Sequence, residues 1–156
     1  MDNMTYYAYN RSTCIPSMSA SEYLENIENT DLIPRNGNTT YCNIWAQNVM
    51  KECNVPFPAK GCTKTLELLT DGYDNWVHLD NDEFKNAQAK ANAGFATIAI
   101  TSDHVVVVTP NDGSVPSAIG EVFVSQSGWD CFYGKKLSYA WKPEARGEIQ
   151  FFYYCG

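Results

Sequence analysis

Cys42 is the residue of this sequence best placed for nucleophilic chemistry, because it lies near the start of an expected helix. Apolar residues at helical spacing predict that helix over Thr39–Met50, with Thr39 or Thr40 as its cap. The unpaired N–H groups and the positive dipole end of a helix start stabilise a thiolate, which lowers the pKa of such a thiol from about 8.5. The alternative is that Cys42 is a buried structural cysteine.

His104 is the best candidate for the base that would serve this thiol. It opens the most hydrophobic stretch of the chain, His104–Thr109, directly after the turn Thr101–Asp103. A cysteine hydrolase needs an imidazole within hydrogen-bond reach of the thiol and a third polar group that orients the ring. A helix-start cysteine that faces the first residue of a strand meets the first requirement. The alternative is a surface histidine at a turn, and His78 has a less suitable setting.

Two residues at the end of the next predicted strand, Ser125 and Gln126, are candidates for the third group. Strand residues alternate between faces, so only one of the two points inward. We choose Gln126, whose side-chain carbonyl accepts a hydrogen bond from an imidazole N–H. The backbone N–H of Cys42 is one donor for an oxyanion. Asn38 and Tyr41 are the candidates for a second donor, with loop and capping roles as the alternative for both.

The remaining pattern predicts helices first and strands afterwards, following an irregular stretch over residues 1–20. A first helix is expected over Ser21–Asn29, with Ser19 or Ser21 as its cap and Glu22 in its first turn. Further helices are expected over Cys62–Leu69 and Asn81–Ala93, besides the one that carries Cys42. Strands are expected at Phe95–Ile100, His104–Thr109 and Glu121–Ser125, and weaker ones at Leu137–Trp141 and Glu148–Tyr153. This order indicates an α+β fold with an antiparallel sheet. A length of 156 residues fits a single domain over residues 1–156.

Several segments, in this order, resemble a known family. Thr40–Val49 resembles the nucleophile helix of papain-like cell-wall amidases and peptidases, of which the CHAP amidohydrolases are one branch. Phe84–Ala99 is similar to the helix, glycine and strand that precede the catalytic histidine in those enzymes. His104–Val108 and Val124–Gly128 resemble the two strands that follow. The resemblance spans residues 36–128 and implies a papain-like fold, with N-terminal helices packed on a C-terminal antiparallel sheet.

The same resemblance implies which residues act and on what. Cys42 and His104 become the catalytic pair of a hydrolase that cleaves an amide bond in the peptide part of peptidoglycan, such as a phage lysin (endolysin) or an antibacterial effector. Peptidoglycan is then the partner, together with an immunity protein or a release machinery. Trp129 and Tyr133 would line a groove for sugar or peptide, with core packing as the alternative. Relatives carry Asp, Asn, Glu or His where this chain offers Gln126.

Two other functions stay open. A cysteine peptidase or transglutaminase-like enzyme acting on proteins would use the same Cys–His pair. A non-catalytic binding module on the same fold would keep Cys42 as a structural residue. The reactivity of the thiol separates the binding module from the enzymes.

Composition and charge argue against several other classes of protein. The net charge is −7 at pH 7 and the longest basic cluster is Lys135–Lys136, which argues against nucleic acid and against anionic membrane surfaces. No stretch approaches the roughly 18 apolar residues of a membrane span. The N-terminus lacks the basic and apolar regions of a secretory signal. We therefore expect the protein to be cytoplasmic until another system releases it to the cell wall.

The cysteine pattern predicts neither a metal site nor a disulfide scaffold. There are six cysteines and no CxxC pair, and the two histidines lie far apart. Free thiols are expected in a cytosolic protein, with a Cys53–Cys62 link as a conceivable exception. The acidic run Asp80–Glu83 lacks the glycine and spacing of a calcium loop and is explained by a helix start. No metal and no cofactor is expected.

Overall fold

The fold, described here for residues 14–156 of a computed structural model, is a six-stranded sheet with four helices packed on it. The helices are α1 (Ala20–Glu28), α2 (Cys42–Glu52), α3 (Cys62–Thr70) and α4 (Phe84–Asn92). The strands are β1 (Trp76–Leu79), β2 (Thr97–Ile100), β3 (Val105–Val108), β4 (Phe123–Ser127), β5 (Cys131–Lys136) and β6 (Gln150–Tyr154). Their spatial order is β1-β6-β2-β3-β4-β5, and every neighbouring pair is antiparallel. The predicted α+β class is confirmed.

Local sequence signals explain where two of the helices begin and end. The Ser19 hydroxyl accepts a hydrogen bond from the backbone N–H of Glu22 at 3.1 Å, which caps α1 as predicted. A short 3₁₀ turn precedes α4, and Asp80 and Glu83 cap it reciprocally. Gly94 ends this segment with a φ of +97°, and a Cβ there would lie 2.2 Å from the Met18 carbonyl oxygen. Glycine is therefore required at this position, where the chain turns from helix into strand.

The core lies between the helices and the two central strands β2 and β3. All eight residues of these strands are buried, which fits their run of β-branched and small apolar side chains. From α1, the Tyr23 hydroxyl donates to the Val108 carbonyl at 2.7 Å and accepts from the Thr97 N–H at 3.0 Å. From α2, Trp45 is fully buried. The helices are thus fixed on the sheet next to the strand that His104 precedes.

Two expectations about the elements are wrong, and one strand was not expected. Helix α2 begins at Cys42 with Tyr41 at the capping position, rather than with Thr39 or Thr40. Leu137–Trp141 is not a strand, since it begins with a 3₁₀ turn, and the strand is the preceding segment β5. The sequence of β5 does not alternate regularly between apolar and polar residues. Gly134 has a positive φ within this strand, and its pairing with β4 contains an irregularity in register. Strand β1 was missed because it is a four-residue edge strand inside the helical half of the chain.

The cysteine expectation also needs correction. Cys14 and Cys155 form a disulfide across a sequence separation of 141 residues, and Cys53 and Cys62 are both free. A pairing between the two ends of the described chain has no local spacing signal, because only the fold brings those ends together. The predicted irregular stretch 1–20 lies largely outside the described residues. Within residues 14–156, no helix is both long and apolar enough to cross a membrane.

Candidate active site

Cys42 is the first residue of α2 and is 4% exposed. Tyr41 occupies the N-cap position of α2, and its side chain makes no capping hydrogen bond to the helix. The first N–H groups of a helix have no partner within the helix, and in α2 they begin at Cys42 itself. The start of α2 lies against β3, where the backbone amide of Val105 is close enough to the Cys42 sulfur to help lower the pKa of the thiol.

The segment between α1 and α2 is fastened to the far end of the sheet, which sets the position of Cys42. The Ile33 N–H donates to the Ser127 hydroxyl at 2.8 Å. The Thr30 carbonyl accepts from the Trp45 indole at 3.2 Å and from the Tyr133 hydroxyl at 2.6 Å. These bonds join the segment both to α2 and to strands β4 and β5. The nucleophile candidate is therefore held on a rigid support.

His104 lies in the turn between β2 and β3 and is held there by its neighbours. The Thr101 hydroxyl accepts from the His104 N–H at 3.2 Å, and the His104 carbonyl accepts from the Thr101 N–H at 2.9 Å. Trp141 packs against the ring edge-on, with centroids 5.1 Å apart. A Cβ at Gly128 would lie 3.0 Å from the His104 Cε1, so a side chain at that position would crowd the ring. The imidazole is therefore confined on several sides.

Gln126 completes the arrangement from β4, where it is 3% exposed. Its amide Nε2 donates to the Asp130 carbonyl at 2.8 Å, which leaves Oε1 to accept from His104 Nε2 at 2.7 Å. An amide oxygen only accepts, so the proton is on Nε2 and His104 Nδ1 is left free to act as a base. Ser125, the alternative third residue, instead bonds to the Thr109 hydroxyl and the Gly134 N–H. The structure therefore brings Gln126, and not Ser125, to His104.

Cys62 is a member of the site that the sequence analysis missed. It is the first residue of α3, and its Sγ lies 3.8 Å from the Sγ of Cys42. Three side chains donate to the Lys60 carbonyl and bind the start of α3 to the start of α2: Asn43, Gln47 and Thr65. The Thr63 hydroxyl also donates to the Ser102 carbonyl at 3.0 Å, which ties α3 to the turn that holds His104. A helix-start position, shared with Cys42, was the available signal.

Three groups stabilise the Cys42 thiolate and hold the pKa of Cys42 well below the usual thiol value. The largest contribution is the hydrogen bond from the Cys62 thiol, followed by the hydrogen bond and positive charge of His104 and the amide of Val105, and together they outweigh burial. The same contact and burial raise the pKa of Cys62, with further contributions from the Cys42 thiolate charge and from Asp103. Only one of the two thiols is therefore ionised, and it is Cys42, while Cys62 keeps its proton.

A cleft of about 470 Å³ opens onto the two sulfurs and supplies the space for a substrate. Its lining includes Thr40 and Asn43 on one side and Ser102 and Asp103 on the other. The predicted oxyanion donors are not among the lining residues. Asn38 is exposed at a tight turn closed by the pairing of residues 36 and 39, and Tyr41 is half-buried at the helix cap. The Asn43 side chain lies in the cleft beside the N–H groups of the helix start.

The two predicted groove aromatics lie in different surroundings. Trp129 is 57% exposed on the loop after β4, with the guanidinium of Arg35 4.0 Å above its ring. Tyr133 is bonded through its hydroxyl to Thr30 and lines a separate depression that also contains Leu24. Trp129 is therefore available to a ligand near the Gln126 strand end, whereas Tyr133 mainly holds the preceding segment on the sheet.

The acidic side chains of Asp80, Asp82 and Glu83 are the only cluster of potential metal ligands among residues 14–156. Two of the three form the reciprocal cap of the turn before α4, since Asp80 N–H donates to Glu83 Oε1 at 3.0 Å. The cluster is explained by helix capping, as the sequence analysis proposed. It lies on the segment that leads into α4, apart from the residues that line the Cys42 cleft.

No protein-family model and no curated protein matches this chain by sequence. The class that fold and site define is therefore an α+β protein with a Cys–His–Gln arrangement beside an open cleft.

The first prediction concerns the reactivity of the thiols. At about pH 6, an ordinary thiol with a pKa of about 8.5 is almost wholly protonated, whereas Cys42 is a thiolate. We expect iodoacetamide to alkylate Cys42 at least about tenfold faster than free cysteine at this pH. Cys53, whose pKa burial raises to about 11, serves as the internal control and should stay unlabelled. Peptide mass spectrometry measures both, and equal labelling would contradict a thiolate at Cys42.

The second prediction concerns the group that orients His104. Gln126→Ala removes the acceptor of the Nε2 proton, and we expect any turnover that depends on Cys42 and His104 to fall on the order of 10²-fold with the fold intact. Gln126→Glu keeps an acceptor and adds a negative charge that favours the protonated ring, so the alkaline limb of the pH–rate profile should move to higher pH. Ser125→Ala is the matched control, and full activity per folded molecule is expected. Equal losses for Ser125→Ala and Gln126→Ala would argue for a purely structural role of this strand end.

Proposed function

We propose that this protein is a cysteine hydrolase of papain-like type that cleaves an amide bond in the peptide part of peptidoglycan. The observation that carries the proposal is the contact of three side chains from separate elements. A thiolate at a helix start, Cys42, meets an imidazole, His104, whose second nitrogen is bonded to Gln126. This is the arrangement that nucleophilic cysteine catalysis requires.

The first half of the reaction forms a thioester. Cys42 gives its proton to Nδ1 of His104, which makes the sulfur a thiolate and the ring an imidazolium. The Cys42 sulfur then attacks the carbonyl carbon of the scissile amide, a new C–S bond forms, and the carbonyl electrons move to oxygen. The Cys42 backbone N–H is the nearest preformed donor for that oxyanion, and the Asn43 side chain in the cleft is the candidate second donor. When the intermediate collapses, the C–N bond breaks and protonated His104 gives its proton to the leaving amine.

The second half restores the enzyme. His104 Nδ1 takes a proton from water, whose oxygen attacks the thioester carbonyl, and the C–S bond breaks to release a carboxylate. Through both halves Gln126 holds the ring with Nδ1 directed toward sulfur, because its own amide is anchored on the Asp130 carbonyl. The Trp141 ring limits rotation of the imidazole and shields it from water.

The choice of peptidoglycan as substrate rests on the family resemblance of the sequence. The segments that carry it are the Cys42 helix, the helix–Gly94–strand unit and the strands after His104, and they adjoin one another in the fold. Arg35 above the Trp129 ring adds a cationic and aromatic surface suited to the carboxylates and sugars of wall fragments. We propose a role as a lysin or antibacterial effector on this basis.

Digestion of purified peptidoglycan tests the substrate directly. The soluble products are separated and weighed after treatment with the wild-type protein, and a new amine and a new carboxylate are expected at one position of the stem peptide or cross-bridge. The bond is identified from the product masses. Unfolded casein is digested in parallel, since cleavage of casein with intact peptidoglycan would favour a peptidase acting on proteins and overturn the proposal.

A further inference from the structure

We propose that Cys42 and Cys62 form a reversible disulfide that closes the site under oxidising conditions. The two sulfurs are 3.8 Å apart and both residues line the same open cleft. A disulfide requires about 2.05 Å between sulfurs. To form the bond, the two sulfurs must therefore come about 1.8 Å closer to each other.

The surroundings hold the two residues as a pair. The Lys60 carbonyl binds side chains from both helix starts, and Thr63 binds the turn before His104, so α3 stays close to α2. Cys42 belongs to the core, whereas Cys62 is half-exposed and follows Gly61, around which a Cβ would find open space. Cys62 is therefore the partner that moves.

The chemistry follows from which sulfur carries the charge. Hydrogen peroxide is the oxidant, and the Cys42 thiolate attacks one of its oxygens to give a sulfenic acid and hydroxide. The Cys62 sulfur then attacks the Cys42 sulfur, the S–O bond breaks, and water leaves with the Cys62 proton. A dithiol reductant reverses the reaction by exchange and is itself oxidised to a disulfide. Without Cys62, further peroxide would carry Cys42 irreversibly to the sulfinic acid.

A disulfide elsewhere in the chain indicates the redox environment in which this reaction would take place. Cys14 and Cys155 are joined, and such disulfides persist where the environment is oxidising. A thiolate is susceptible to oxidation in such an environment, and a second thiol within reach protects it from the irreversible steps. The loss of activity rests on the proposed function, but formation of the bond does not. Cys53 and Cys131 are free as well, yet neither has a sulfur neighbour in the described contacts.

The test is a peptide map of protein treated with a small excess of hydrogen peroxide, about three equivalents per protein, since a sulfinic acid consumes two, then alkylated and digested with trypsin without reduction. We expect the peptide 36–51, with Cys42, to be linked to the peptide 61–64, with Cys62, and the link to vanish with dithiothreitol. Cys131→Ser should form it equally. In Cys62→Ala, Cys42 should instead gain two oxygens that dithiothreitol does not remove. Circular dichroism checks that the variants are folded.

The outcomes separate this inference from the proposed function. No 36–51 to 61–64 link in wild-type protein, or equal over-oxidation of Cys42 in wild type and Cys62→Ala, would overturn the disulfide even if peptidoglycan is cleaved. A link that forms in a protein inactive on peptidoglycan would leave the disulfide standing and remove the proposed function. With both correct, hydrolysis falls in proportion to the linked fraction and returns on reduction.

Discussion

Replacement of Cys42 by alanine is expected to lower peptidoglycan hydrolysis by roughly 10³-fold or more, because it removes the thiolate that His104 and Gln126 are positioned to serve. The remaining acceleration would come from substrate positioning and the donors at the helix start. The variant should stay folded, since it removes one sulfur from a site at the edge of the core. Product formation measured by chromatography against time is the readout, with circular dichroism as a check on folding.

The matched control is Cys53→Ala. Cys53 is a second buried cysteine and occupies the C-cap of the same helix, so its replacement removes the same atom from the same element. Its loss should reduce stability at least as much as that of Cys42 and leave the activity of the folded protein unchanged. Activity that survives in Cys42→Ala, or is lost equally in Cys53→Ala, would show that Cys42 is structural.

The second large effect is expected at His104. His104→Ala removes the base that assists thioester hydrolysis and the acid that protonates the amine, and general acid–base catalysis contributes roughly 10²- to 10⁴-fold. It also removes one of the groups that stabilise the Cys42 thiolate. Alkylation of Cys42 at about pH 6 should therefore slow together with turnover. Steady-state kinetics and the alkylation rate measure the two effects independently.

His78→Ala is the control for His104. His78 lies on the edge strand β1, where its ring contacts Gln150 and Phe152, and it is well removed from the cleft lining. Its replacement should leave both turnover and the alkylation rate of Cys42 unchanged. A loss of turnover in His104→Ala with unchanged alkylation would mean that His104 does not interact with the thiol in solution.

Much of the fold was accessible from the sequence because the signals are local. Ser19 and Glu22 indicate the start of the helix over residues 20–28. Runs of β-branched residues indicate the buried strands β2 and β3. Strands β1 and β5 were missed because edge strands bury little and need no regular alternation. The Cys14–Cys155 link has no local signal at all, since it depends on where β6 ends relative to the entry into α1.

The residues of the candidate site likewise include some that the sequence predicted and some that it did not. Cys42 and His104 were chosen from their positions in predicted elements, and Gln126 was chosen over Ser125 because its side-chain carbonyl can accept from an imidazole. The structure brings these three residues together. Cys62 was missed as a partner of Cys42, because nothing in a 20-residue separation shows that two helix starts share the Lys60 carbonyl. Asn38 and Tyr41 were chosen as oxyanion donors because they precede Cys42 closely in sequence. In the structure neither lines the cleft, and Asn43, one residue after Cys42, does.

The central claim is that Cys42 forms a covalent bond with the acyl part of its substrate. The direct measurement is acid quenching of wild-type protein within the first turnovers on soluble peptidoglycan fragments, followed by mass spectrometry of the tryptic peptide 36–51. We expect this peptide to gain the mass of the acyl fragment, and hydroxylamine to remove it. Products that accumulate while Cys42 stays unmodified, or an adduct on another residue, would contradict the account.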